Sequence, residues 1–320
     1  MSPLLAIILL VVLFYFLSKA ADFVVDAMRA LSRKLGVGVF WLGLVLGLFT
    51  SLPELAIGLS AVYRGSPDIS VGNLFGGILT LLGLILGLSI ILNRKIRTDG
   101  DLWHIFPSLI YILLPLFFLA TSGALSVAEG VILIAGYIVA LYPLYRGRLV
   151  SSSKAPHLDK QDINMGRRGP GGQIFSVLVG LAVIIICAHF IVEITMPLLL
   201  AWSVSPLVAG LTVFALGTNL PELIIAIEAW RRGSRELSLA NLLGSAMANV
   251  FILGILALLA RIEYEQNSSF FTLIIFEVGL FIGIAWFYVS KRSFSRREGI
   301  ILVSAYLVFL IAQGAIGFGG

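Results

Sequence analysis

Residues 50–76 read T-S-L-P-E-L-A-I-G-L-S-A-V-Y-R-G-S-P-D-I-S-V-G-N-L-F-G, and residues 218–244 read T-N-L-P-E-L-I-I-A-I-E-A-W-R-R-G-S-R-E-L-S-L-A-N-L-L-G. At a fixed offset of 168 and without gaps, 14 of the 27 positions are identical. An apolar composition supplies chance matches of Leu or Ile. It does not supply Thr, Pro, Glu, Arg, Gly, two Ser and Asn in register. The chain therefore carries an internal repeat, and the rest of the fold is read outward from it.

Both copies lie in apolar surroundings. Of the 320 residues, 59% are hydrophobic and 12% charged, and mean hydropathy is +1.04. Soluble domains run at about 45–50% apolar and about 25% charged. The composition argues against a soluble globular enzyme, a disordered protein and a nucleic-acid binder, despite the net charge of +5. A helix needs about 20 apolar residues to cross a bilayer. Ten runs qualify: 3–25, 38–62, 69–92, 102–121, 126–145, 174–195, 204–230, 237–260, 269–290 and 299–318. They are too long and too unalternating for barrel strands, which are about ten residues each. The first run lacks a basic opening and a cleavage box, so it reads as a retained span rather than a signal peptide. The expected fold is an all-α polytopic membrane protein of ten transmembrane helices.

Basic residues set the orientation. With the N-terminus outside, 19 of the 22 Lys and Arg fall in inside loops; only Arg64 and Arg261 fall outside, and Lys19 lies in the first span. The positive-inside rule then places both termini outside. Residues 146–173 are polar, with Ser151-Ser152-Ser153 and Gly169-Pro170-Gly171-Gly172, and read as a flexible inside linker. It separates a first five-helix half, 1–145, from a second, 174–320. The copies sit on spans 2–3 and 7–8. Five spans separate them, an odd number, so they enter the membrane from opposite sides. Transporters use such inverted repeats to hold substrate at the midplane and expose it to each side in turn.

The chemistry of the repeat is that of oxygen. Glu54 and Glu222 lie inside apolar runs, where a charge costs at least about 2.5 kcal/mol. Each follows a proline, Pro53 or Pro221, which cannot donate to the carbonyl four residues back. The helices should break there and free the carbonyls of Phe49 and Gly217. Thr50, Ser51, Thr218 and Asn219 occupy the same turns. Such backbone is tolerated at that depth only where it lines a cavity or is covered by protein. The one cysteine, Cys187, offers neither a disulfide nor a sulfur site, and there are three histidines. Hard oxygen ligands select hard cations such as Ca2+. Two carboxylates balance one divalent ion; once it leaves, they repel unless Na+ or protons replace it. That requirement is the basis of exchange. Asn73 and Asn241 face the turns and serve either as ligands or as hydrogen-bond partners of the broken backbone. Ser245 and Asn249 stand one turn apart, whereas their partners Gly77 and Leu81 offer no side-chain oxygen, so the site should be lopsided.

Thr50-Ser51-Leu52-Pro53-Glu54 and Gly217-Thr218-Asn219-Leu220-Pro221-Glu222, each followed by a Gly/Ala-Asn-x-x-Gly segment, resemble the two alpha repeats of the cation/Ca2+ antiporter superfamily. The prokaryotic sodium/calcium exchangers match most closely. The resemblance implies a 5+5 fold and alternating access by sliding of spans 1 and 6. It also implies Ca2+ ligation by Glu54 and Glu222 with Thr50 and Thr218, and a Na+ role for Ser245. The chain departs from the family pattern at Gly77, Leu81, Asn249, Phe49 and Asn219. These departures fall on the counter-ion and accessory positions, and Asn219 is similar to the proton-coupled exchangers.

The expectation is a secondary antiporter in the cell membrane, exchanging Ca2+ for Na+ through Glu54, Glu222, Thr50 and Thr218. Ser51, Asn219, Ser245, Asn249, Asn73 and Asn241 are counter-ion or accessory residues. The alternative is an H+/Ca2+ exchanger, or one for another divalent ion, on the same fold. No cofactor, nucleic acid or obligate protein partner is expected beyond lipid and the transported ions. An enzyme using the two carboxylates as an acid/base pair is disfavoured. Such pairs need unlike environments, and these lie in near-duplicate segments. A channel is disfavoured by the proline-broken site. Asp22 and Asp26 should pair with Lys19, Arg29 or an interfacial neighbour, and His189 should be a packed, hydrogen-bonded side chain. Glu129 and Glu277 have no repeat partner and receive no role.

Overall fold

The computed structural model describes residues 2–35, 51–98, 100–146, 169–220, 222–223, 226–227, 239–263, 266–290 and 292–317. The helices are α1 Pro3–Leu35, α2 Leu52–Tyr63, α3 Pro67–Leu79, α4 Leu86–Asn93, α5 Phe106–Ser122, α6 Val127–Arg146, α7 Pro170–Trp202, α8 Pro206–Ala209, α9 Ala215–Thr218, α10 Leu239–Leu259, α11 Ser268–Ser290 and α12 Arg296–Gly317. Among the described residues, six helical stretches are long and apolar enough to cross a membrane, and four shorter apolar ones fall at other expected spans. Large apolar side chains point outward along the outer helices, including Leu4, Leu200, Ile275, Trp286 and Ile311. A soluble protein does not present such a continuous apolar exterior.

The central position is set by burial. The span through α3 and α4 is 83% buried and α10 is 72% buried, against 28–39% for the other long spans. Glycine makes that centre possible. A Cβ on Gly72 would lie 2.5 Å from the Leu207 carbonyl and 2.9 Å from Gly210 Cα. Backbone therefore crosses backbone where α3 meets α8. Two π-helical turns were not expected: Thr80–Ile85 joins α3 to α4, and Gly210–Phe214 joins α8 to α9. Such turns often mark functional sites. At the first, the Thr80 hydroxyl bonds the Gly76 carbonyl at 2.8 Å and meets Tyr306 Oη at 3.0 Å.

Two apolar cores result. One joins α3, α4, α5, α6, α10, α11 and α12. The other packs α1 and α7 together along their lengths and onto α2 and the α8–α9 region. Small residues are interspersed along this seam: Ala20, Ala21, Ala56, Ala61, Ala188 and Ala209 are buried in it among larger apolar side chains. Gly180 of α7 abuts Val24 and Ala20 of α1.

Loops are stitched in pairs. Strand β1 (Lys95–Arg97) runs antiparallel to β4 (Ser293–Ser295), with Ile96 opposite Phe294. Strand β2 (Ala124–Leu125) runs antiparallel to β3 (Ile262–Glu263). Helix limits differ from the sequence reading at two places. Helix α1 continues to Leu35, and α7 begins at Pro170, inside the stretch read as linker. Proline is pre-organised for a first helical position because its missing N–H has no partner there anyway. The remainder of the linker lies outside the described residues.

Candidate ion-binding site

The two copies fold alike where it matters. Ser51 caps α2 at φ −94°, ψ 16°, and Asn219 ends α9 at φ −91°, ψ 10°. The Leu55 amide donates to the Ser51 carbonyl at 3.1 Å, and the Leu223 amide to the Asn219 carbonyl at 3.2 Å. In the second half the helix breaks at Asn219, two residues before the proline, and in the first half α2 starts just after Ser51, the matching residue. Glu54 thus sits in the first turn of α2, where free N–H groups favour a carboxylate.

The breaks meet in the middle of the molecule. Glu54 and Glu222 are close enough to repel one another, and Thr218 lies within reach of Glu54. Glu54 is buried. One carboxylate oxygen of each, Glu54 Oε2 and Glu222 Oε2, is buried without a hydrogen-bond partner, as is Asn73 Nδ2. The Thr218 hydroxyl donates to Asn73 Oδ1 at 3.3 Å and so joins the two halves. Asn219 Nδ2 donates to the Ala215 carbonyl at 2.9 Å and to Thr218 Oγ1 at 3.3 Å. Asn249 Nδ2 donates across the halves to the Leu74 carbonyl at 3.1 Å. Ser51 and Ser245 are buried, Ser245 one turn before Asn249. Thr50 and the side chain of Asn241 lie outside the described residues, as do Phe49, Pro221 and Glu228.

Lopsidedness has a geometric form that the sequence did not reveal. A Cβ on Gly77 would stand 2.7 Å from Asn249 Nδ2 and 3.2 Å from Asn219 Nδ2. Two amides of the second half therefore occupy the volume that a larger side chain at position 77 would need. On the other side of the pseudo-symmetry the position is Ser245. Phe14 of α1 lies over the second break, against the backbone of Gly217 and edge-on to Phe214 at 6.2 Å between ring centroids.

Other polar residues also find their places. Lys19 pairs with Asp22 at 3.3 Å, and Asp22 adds to the negative field at Glu222. His189 is bonded as expected but half-exposed rather than packed, beside Arg64 and Glu193. Glu129 closes a capping box: the Ser126 amide donates to Glu129 Oε2 at 2.7 Å, and the Glu129 amide to Ser126 Oγ at 3.4 Å. The Ser295 amide donates to Glu298 Oε2 at 2.6 Å in the same way before α12. Both sequences read Ser-x-x-Glu, a signal that was available. Glu277 is fully buried with both oxygens unpartnered, and no physical account of it follows from its neighbours. Among the described residues no group of three or more His, Cys, Asp or Glu comes together. An ion here would be held by two carboxylates and by hydroxyl, amide and carbonyl oxygens.

The family model for sodium/calcium exchanger proteins matches residues 5–146 and 172–315. The chain belongs to this family. It is a multi-pass membrane protein. It is 28% identical over 334 aligned positions to the sodium/calcium exchanger MaX1 of Methanosarcina acetivorans, covering 92% of this chain and 95% of that one. Solved structures share the fold. The sodium-calcium exchanger NCX_Mj superposes with a TM-score of 0.63 at 24% identity, covering 96% of this chain and 98% of that one. An H+/Ca2+ exchanger, CAX, superposes with a TM-score of 0.77 at 16% identity, covering 98% and 84%. All three of these relatives are exchangers.

Proposed function

We propose that the chain is a secondary antiporter that moves Ca2+ in exchange for Na+ by alternating access at the site between Glu54 and Glu222. The observation that carries this reading is the pair of buried, unpartnered carboxylate oxygens where the start of α2 meets the helix break at Asn219. A carboxylate is an acceptor only, and an unpaired one in a low-dielectric interior is costly. A cation or a proton must therefore be present in every stable state. Ca2+ satisfies both charges at once, with Thr218, Asn73 and backbone carbonyls able to complete an oxygen shell. Thr50, by its place in the repeat, supplies the matching oxygens of the first half.

The ten-span, both-termini-outside plan belongs to this reading, as does the division into halves 1–145 and 174–320. The loop ladders support it by parity. The loops after spans 3 and 9 lie six spans apart and pair; those after spans 4 and 8 lie four apart and pair. Even separations put each pair on one side. The packing of α1 and α7 together supports their sliding as a pair over α2 and the α8–α9 region, through a seam that is apolar throughout.

A second reading, H+ in place of some or all of the Na+, is favoured by the Gly77 neighbourhood. The Asn219 and Asn249 nitrogens that crowd it are donors, and a donor repels a cation. The counter-ion shell is then built from the Ser245 side alone, and a proton on Glu54 or Glu222 needs no shell. The test is radiolabelled Ca2+ uptake into proteoliposomes under a Na+ gradient at constant pH, then under a pH gradient without Na+. Uptake driven by Na+ and absent from a Glu54→Gln, Glu222→Gln double variant supports the first reading. Uptake driven by pH alone selects the second. Uptake under neither gradient removes Ca2+ as the substrate.

A further inference from the structure

A second duplicated segment lies outside the ion site. Ala21-Asp22-Phe23-Val24-Val25-Asp26 of α1 matches Ala188-His189-Phe190-Ile191-Val192-Glu193 of α7. Ala, Phe and Val recur in register, the last residue is acidic in both, and only Asp22 against His189 changes class. Arg64-Gly65-Ser66 likewise recurs as Arg232-Gly233-Ser234. In the first Arg copy the structure shows what the charges do. Arg64 Nη2 lies 3.3 Å from Glu193 Oε2 and 3.2 Å from His189 Nε2, and His189 Nε2 lies 3.4 Å from Glu193 Oε2. Arg64 has only donors, so the imidazole nitrogen faces it as an acceptor.

The cluster sits at the rim of the second core. Arg64 ends α2, whose first turn holds Glu54 and whose hairpin leads into α3 with Asn73 and so into the first core. Glu193 and His189 belong to α7, which packs with α1 and onto α2 in the second core. An open crevice of about 390 Å³ runs beside the contact, lined by Leu59, Tyr63, His189 and Leu259. The pair is partly exposed, Arg64 at 28% and Glu193 at 49%, so the contact can open and close without burying a bare charge. The sequence places the matching residues, Asp22, Asp26 and Arg232, at the opposite face. Asp22 holds Lys19, and Arg232 lies outside the described residues.

We propose that Arg64 is a positioning residue whose ion pair with Glu193, flanked by His189, latches α7 to the α2–α3 hairpin and so biases which side of the exchanger is open. The inference rests on the antiporter reading for its functional consequence, but not for the latch itself. An exposed ion pair contributes roughly 0.2–1 kcal/mol, which shifts a two-state equilibrium by about 1.4- to fivefold. The latch therefore tunes sidedness and does not block transport.

The test combines two readouts in proteoliposomes. Spin labels at Tyr63→Cys and Leu200→Cys, which are 91% and 79% exposed, in a Cys187→Ser background report the hairpin-to-α7 distance. Ca2+ exchange measured from each side reports the ratio of outside to inside apparent affinity. Arg64→Gln and Glu193→Gln should each populate a second distance and change the affinity ratio by about two- to fivefold. The exchange Arg64→Glu with Glu193→Arg should restore both. An unchanged distance and ratio in both single variants overturns the latch, whatever the transport rate. If the unaltered protein shows no exchange, the antiporter reading fails, and the distance measurement still decides the latch. If Arg64→Gln fails to fold, Glu193→Gln on the exposed face of α7 removes the same pair.

Discussion

At the scale of single residues, the site is defined by atoms that lack partners and by one that lacks a side chain. Glu54 Oε2 and Glu222 Oε2 are the unpartnered acceptors. Removing one member of a buried charge interaction costs about 2–5 kcal/mol. Glu54→Gln or Glu222→Gln should therefore raise the Ca2+ needed for half-maximal uptake by about thirtyfold or more, read in proteoliposomes by calcium titration. Gly77 is the missing side chain. Gly77→Ala forces its Cβ onto Asn249 Nδ2 and should lower stability by about 1–3 kcal/mol. Asn249→Ser in the same molecule should recover part of that loss, and thermal melts of the single and double variants measure the coupling. The meeting of the two glutamates was legible in the sequence because a carboxylate in an apolar run is costly, and a chain that carries the cost twice, in register, points to one shared place for both. The filling around Gly77 was not legible, because it depends on Asn219 and Asn249 reaching across from the other half. Glu129 was missed for a different reason. Its counterpart in the second half is Glu298, one residue off the 168 offset, and the role of each is set by a local partner, Ser126 or Ser295, through a plain Ser-x-x-Glu cap.

At the scale of elements, the prolines and glycines set the architecture. The start of α2 after Ser51 and the break at Asn219 lie within two residues of Pro53 and Pro221, where the sequence places them. The π turns at Thr80–Ile85 and Gly210–Phe214 leave no comparable mark, since one inserted residue in a helix is decided by what packs against it. Glycines divide into two kinds. Those at the α3–α8 crossing touch backbone, so Gly72→Ala or Gly210→Ala should destabilise by about 1–3 kcal/mol because a carbonyl cannot step aside. A Cβ on Gly279 or Gly314 meets nothing within 4 Å. Alanine there should be neutral or favourable by up to about 1 kcal/mol through helix propensity. Thermal melts of the four variants in one detergent separate the kinds; equal losses would contradict the crossing.

At the scale of the whole molecule, the proposed cycle is a slide of α1 and α7 over α2 and the α8–α9 region, which meet in the second core. Phe14 of α1 presses on Gly217, and Phe214 stands edge-on to it, so this contact spans the seam at the second helix break. A disulfide between Phe14→Cys and Gly217→Cys, with Cys187→Ser, should stop Ca2+ exchange, and a reductant should restore it. Exchange that survives quantitative cross-linking would show that α1 and the α9 region do not part during the cycle. The loop ladders carry a different kind of consequence, one of biogenesis. Lys95 finds its partner Ser295 two hundred residues later in the chain, and Ala124 finds Glu263 after another long wait. On the proposed ten-span plan, the early half would enter the membrane with bare strand edges on both faces, held open for a sister not yet made. Those edges are addresses as well as staples. Two separately translated halves, cut within the polar linker, should find one another in the bilayer and assemble as a pair of chains.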